Sequence, residues 1–174
     1  AARAAAKLKP EANELCLIYA VQGRALRKMR HHRKAIKAYE SYLKQKCDDD
    51  AAPGVFYGRL FSQAVVDSSR LEPIVRSAHK RFPKHRLSDD YLFFLAEEHQ
   101  RRGRRKKASA TYAELVRQHP DGDMSEEASW RRAWLAYRAG DLAEAKERLD
   151  AFLRERPAAE VHPTEHQLRA RFWR

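Results

Sequence analysis

The histidines, acids and cysteines of this 174-residue chain are where chemistry would have to reside. His162-Pro163-Thr164-Glu165-His166 has the H-x-x-E-H spacing with which two imidazoles one helical turn apart grip zinc while the glutamate polarises a water. Pro163 suits the first turn of a helix, which leaves His162 outside it, and no third ligand is evident, so the string reads as a chance match. Glu40-Ser41 joins a carboxylate to a hydroxyl, but it sits inside Ala38-Tyr39-Glu40-Ser41-Tyr42-Leu43, an amphipathic helical stretch. A catalytic carboxylate needs a cleft that desolvates it, and nothing nearby would build one. His79, His85, His99 and His119 are scattered singly, mostly near helix ends. With no glycine-rich phosphate loop and no Cys/His cluster at metal spacing, no catalytic residue, metal or cofactor is expected in this chain.

Cys16 and Cys47 lie equally far from a turn expected at residues 31–32, which places them at one level of two antiparallel helices. Two readings stand: a disulfide formed in an oxidising compartment, or one buried small apolar side chain and one loop thiol.

The formal charge is +12, from 36 Lys and Arg against 24 Asp and Glu. The densest cationic clusters are Arg24, Arg27, Lys28, Arg30, Arg33, Lys34 and Lys37, and then Arg101 to Lys107. Each falls at a helix-helix turn, the most solvated part of such a structure. Neither has the interleaved aromatics that nucleic-acid stacking requires, so a nucleic-acid partner is not expected. No apolar run is long enough to span a bilayer. Ala1 to Lys7 is alanine-rich and basic but lacks the apolar core of a signal peptide, and reads as the tail of a helix. The last residues, Leu168 to Trp173, likewise read as the start of an amphipathic helix, so both termini look like cuts through a longer array.

The elements that position these residues repeat. Ser125 to Pro157 contains an apolar-periodic segment through Trp130, Ala133, Trp134 and Tyr137, a break at Gly140-Asp141, and a second segment through Leu142, Ala145, Leu149 and Phe152. The same text occurs upstream, with Phe93, Ala96, Gly103 and Ala108 matching Trp130, Ala133, Gly140 and Ala145. Pro83, Pro120 and Pro157 are 37 residues apart. One helical hairpin per fixed period cannot bury its apolar stripe alone and must stack on its neighbours. The pattern predicts an all-α, right-handed solenoid of tetratricopeptide-like hairpins, a single domain over residues 1–174. Its repeats are expected at about 10–47, 48–83, 84–120 and 121–157, with about nine helices, no sheet, and a truncated helix at 163–174. The second repeat is irregular: Asp67-Ser68-Ser69 replaces a turn glycine, and Gly58 is out of register with Gly23. Ala158 to Pro163 reads as a longer joint.

In such stacks the first helix of each hairpin lines the inner face. That selects Arg24, Arg27, Arg59, Gln100, Arg101, Trp134, Tyr137 and Arg138 as groove candidates. Trp134 and Tyr137 beside Arg138 suit a peptide or a sugar, with inter-repeat core packing as the other reading of Trp134.

Gly122-Asp123-Met124, Ala128-Ser129-Trp130-Arg131, Tyr137-Arg138-Ala139-Gly140-Asp141 and Leu168-Arg169-Ala170-Arg171-Phe172-Trp173-Arg174 give residues 84–174 a further likeness. This half resembles the helical superhelix region of soluble lytic murein transglycosylases; residues 1–83 are generic hairpins. The catalytic Glu-Ser and Gly-Leu-Met-Gln of that family's lysozyme-like domain are absent, and Glu40-Ser41 has neither their position nor their sequel. The resemblance implies a periplasmic, non-catalytic scaffold that positions a peptidoglycan strand or a protein partner. The different reading is an interaction adaptor that binds an extended peptide in its groove. The oligomeric state is not legible in the sequence.

Overall fold

The computed structural model describes residues 11–45, 47, 50–155 and 164–173. The expected helical tail at 1–7 and the joint at 158–163 lie outside the described residues. Those residues form nine α-helices, one 3-10 turn and no strand, in two compact units, residues 1–87 and 88–174.

The first unit contains α1 (Ala12–Lys28), α2 (His32–Lys44), α3 (Ala52–Asp67) and α4 (Leu71–Arg81). Glu14 reaches back to accept the Glu11 backbone N–H at 3.0 Å, satisfying one orphan donor at the start of α1. Between α1 and α2 the chain reverses at Arg30, whose φ is 61°, and the His31 N–H closes the turn on the Leu26 carbonyl at 2.8 Å. Arg30 thus occupies a left-handed position that usually goes to glycine. The second hairpin solves its turn differently. The Asp67 carboxylate accepts the Ser69 N–H at 3.0 Å and holds Ser68–Arg70 as a 3-10 turn before α4, so no glycine is needed.

Tyr39 explains the irregular register of Gly23 and Gly58. Its ring is buried (2% exposed) on α2 and faces both glycines. A Cβ on Gly23 would lie 2.4 Å from Tyr39 Cε1, and one on Gly58 2.5 Å from its hydroxyl oxygen. The two glycines form one notch around a single ring, so their spacing follows Tyr39 and not the proline period. Cys16 and Cys47, both buried, are joined as a disulfide with Cα atoms 6.0 Å apart, tying α1 to the far end of α2. Arg81 of α4 donates to the Cys47 carbonyl at 2.9 Å.

Leu17, Ile18 and Val21 of α1 are 50–67% exposed, because no helix among the described residues covers that face. Phe61 and Val65 of α3 are exposed as well, at 43% and 59%.

The second unit contains α5 (Ser88–Arg101), α6 (Arg105–Gln118), α7 (Ser125–Tyr137), α8 (Leu142–Glu155) and α9 (Glu165–Trp173). Each helix packs on the next, and α9 also returns to α7. Gly103 (φ 69°) and Gly140 (φ 80°) occupy the hairpin tips with the same bonds as Arg30: Arg104 N–H to the His99 carbonyl and Asp141 N–H to the Ala136 carbonyl. Ala96 and Ala108, and Ala133 and Ala145, are the small buried pairs that let hairpin helices approach. The joint between α6 and α7 is pinned by Asp89, 4% exposed, whose carboxylate accepts the Met124 N–H at 3.2 Å. Gly122 is required there, since a Cβ would sit 2.4 Å from Asp89 Oδ2.

Candidate binding surfaces

The hairpin tips at Arg30, Gly103 and Gly140 give a common frame for three first helices. Counting back ten, six and three residues selects one helical stripe: Ala20, Arg24 and Arg27 on α1; Phe93, Glu97 and Gln100 on α5; Trp130, Trp134 and Tyr137 on α7. The hairpin fixes the rungs, and the side chains on them differ in kind.

In the first unit, Ala20, Arg24 and Arg27 face Gly54, Gly58 and Phe61 of α3 across a cavity of about 100 Å³ with Tyr39 in its wall. The Arg27 guanidinium carbon lies 5.4 Å from the Phe61 ring centroid, a cation-π contact. Its Nε is buried without a hydrogen-bond partner. His32 adds a ring 6.2 Å from Phe61. Arg59, a groove candidate by sequence, is instead paired with Glu40 at 2.9 Å, holding α3 against α2. The same contact accounts for Glu40 as a partner in an ion pair.

In the second unit, Trp134 stacks between Trp130 (centroids 6.1 Å, planes 17° apart) and Tyr137 (5.1 Å, 20°). Trp173 of α9 meets Trp134 and Tyr137 edge-on at 5.6 and 5.2 Å. These rings, with Ala133, Leu142, Ala145 and Leu149, enclose a mainly apolar cavity of about 250 Å³ with Lys146 at its edge. Trp134 is half-buried and packs against the cluster of Trp130, Leu149, Phe152 and Ala170 that joins α7, α8 and α9. Tyr137 (40% exposed), Trp173 (44%) and Leu142 (61%) carry the accessible apolar edge. Arg138 is exposed just beyond it.

Gln100 and Arg101 are engaged within the unit. Gln100 accepts the Tyr112 hydroxyl at 3.3 Å, and Arg101 forks onto Glu98 with two bonds of 2.9 Å. Glu98 is 7% exposed and also takes Arg102 at 2.7 Å. Sequence reasoning missed Glu98, Tyr39, Phe61 and Trp173 as organising residues. Only Trp173, a large aromatic in the short amphipathic terminal helix, offered a sequence signal for a surface role.

Groups with acid-base potential are few. Burial pushes the Tyr91 and Tyr112 phenols upward, which keeps them neutral. Asp89, Asp90 and Asp123 bring carboxylate oxygens within 4.8 Å of one another, but Asp89 is committed to the joint backbone. His166 in the first turn of α9 lies 3.1 Å from a Glu127 carboxylate oxygen, so it serves α7–α9 packing; His162 of the H-x-x-E-H string is outside the described residues. No helix among the described residues is long and apolar enough to cross a membrane.

Comparison with known proteins agrees with this architecture. The tetratricopeptide repeat family model matches residues 127–159, the α7–α8 hairpin. No curated protein matches the chain in sequence. Among solved structures, YrrB, a TPR protein with an unusual peptide-binding site, aligns with a TM-score of 0.55 at 15% identity, over 90% of this chain and 74% of YrrB. MamA aligns at 0.56 and 14% identity, over 83% and 75%. A Podosopora anserina putative kinesin light chain protein of nearly identical TPR-like repeats aligns at 0.59 and 12% identity, over 95% and 85%. At such identities the likeness establishes the fold: the chain is an all-α array of tetratricopeptide-like helical hairpins.

Proposed function

We propose that the chain is a non-catalytic scaffold that holds a peptide segment of a protein partner on the first helix of a hairpin, foremost on α7 of the second unit. The observation that carries this reading is the α7–α9 surface. Four aromatic rings converge there on a 250 Å³ apolar cavity, and Tyr137, Trp173 and Leu142 remain accessible at its edge. Large rings with few rotatable bonds and half-exposed apolar area are the residues that dominate peptide interfaces. Arg138 at the end of α7 is available to a backbone carbonyl or a carboxylate of the same segment. The peptide-binding site of YrrB, a protein of similar fold, supports the class of ligand.

A second, narrower reading places the scaffold in an oxidising, periplasmic compartment as part of a cell-wall-processing protein. It draws on the transglycosylase-like text of residues 84–174, and the Cys16–Cys47 disulfide supports the compartment. Peptidoglycan, whose stem peptides bear carboxylates, is the partner it implies.

Selection of a displayed random-peptide library on the chain tests the first reading. Enriched peptides are expected to lose roughly tenfold or more in affinity against Tyr137→Ala and Trp173→Ala. Failure to enrich, or undiminished binding to both variants, rejects it. Retention of the chain on purified peptidoglycan sacculi, abolished by the same variants, would favour the cell-wall reading over a protein partner.

A further inference from the structure

The first unit presents a different ligand chemistry. From Leu15 to Tyr39 the sequence has seven lysines and arginines and no Asp or Glu, so the C-terminal half of α1 and the start of α2 are uniformly cationic. In the second unit, by contrast, Arg101 and Arg102 are neutralised by Glu98. Around the α1–α3 cavity no described carboxylate is bonded to Arg24 or Arg27. Arg24 is exposed at the mouth, and the Arg27 Nε–H is buried without an acceptor. An unmet buried donor on a charged group is a standing cost that an incoming acceptor relieves. Phe61, 43% exposed, forms an apolar shelf beside the guanidinium, and Gly54 leaves the wall open, with nothing within 4 Å of where its Cβ would be.

We infer that the α1–α3 groove docks an acidic segment of a protein partner, an Asp or Glu carboxylate entering between Arg24 and Arg27 while a neighbouring apolar side chain of the segment covers Phe61. This rests on the peptide-scaffold reading and adds the chemistry of the partner. Size and shape favour a peptide over a nucleic acid. A cavity of about 100 Å³ admits a carboxylate and its methylenes but not a nucleobase. A carboxylate also matches the planar fork of an arginine in two parallel bonds.

The test is fluorescence anisotropy of the full chain with a short labelled peptide of alternating Glu and Leu, against the same peptide with Gln in place of Glu. The Glu peptide is expected to bind at least about tenfold tighter and to weaken with added salt. Arg24→Gln with Arg27→Gln should remove that preference, and Gly54→Leu, which fills the cavity from its open wall, should do the same without removing charge. Arg105→Gln with Lys106→Gln, at the tip of the second unit, should leave it intact. Circular dichroism of each variant shows that the helices persist. Equal binding of the two peptides, no binding of either, a preference that survives both groove variants, or displacement by a thymidine oligonucleotide overturns the inference. Equal binding abolished by Tyr137→Ala would reject acidic docking while leaving the scaffold reading in place.

Discussion

The first helices α1 and α7 are built on the same hairpin, yet the rungs that line their cavities have opposite characters. Positions ten, six and three residues before the tip are Ala20, Arg24 and Arg27 in one and Trp130, Trp134 and Tyr137 in the other. Their buried faces differ as well. Gly23 on α1 yields to the Tyr39 ring, whereas Ala133 at the matching place on α7 packs with Leu149 in a smaller core. The repeat therefore dictates where side chains point and how far helices stand apart, while the identity of three rungs sets what can dock. A single consensus for the groove would average two chemistries that the chain keeps separate.

Perturbations of the two units should separate in size. Opening the Cys16–Cys47 disulfide, which closes a 31-residue separation, is expected to cost about 3 kcal/mol in the first unit. Denaturant melts with and without reductant, followed by hydrogen exchange, should show the loss in α1 and α2 and little change in α7 and α8. Next in size, Gly58→Ala drives a methyl into the Tyr39 hydroxyl and should destabilise by about 1–3 kcal/mol. The opposite sign is expected nearby: Gly54→Ala meets nothing and should stabilise α3 by about 0.5 kcal/mol. A pair of thermal melts distinguishes these two glycines, and equal effects would mean that Tyr39 does not set the notch.

The smallest effect lies in the second unit. Partial desolvation, then a hydrogen bond and charge from Asp89, raise the Asp123 carboxyl above its usual value. The folded unit thus binds a proton more tightly than the unfolded chain. Its contribution to stability rises as pH falls through the folded-state value, levels off below the usual carboxylate value, and is lost above it. Because Asp123 is exposed, the effect is small. Asp123→Asn should raise the melting temperature by about one degree near neutral pH and change nothing below the usual carboxylate range.

Periodicity made the hairpins legible, since glycine tips and small alanine contacts recur at a fixed interval in the second unit. It was less informative where a single side chain replaced the pattern. Arg30 adopts the tip conformation without being glycine, and Asp67 caps a turn that has none. Stripe geometry selected Arg24, Arg27, Trp134 and Tyr137, which line cavities in the folded chain, but a helical stripe carries no information about which charges are already satisfied. Arg59 and Arg101 are taken by Glu40 and Glu98, and both pairings depend on packing that no spacing rule encodes. Phe61 belongs to the apolar pattern of α3 in sequence, and its 43% exposure is visible only in the folded first unit.

All three tryptophans of the chain, Trp130, Trp134 and Trp173, belong to the α7–α9 cluster, so intrinsic fluorescence reports on the proposed peptide site alone. Titration with a library-selected peptide should give a saturable change in tryptophan emission with the same midpoint as binding measured by anisotropy, and Tyr137→Ala should shift both together. Tight binding with tryptophan emission unchanged would contradict the assignment of the aromatic rungs as the docking surface.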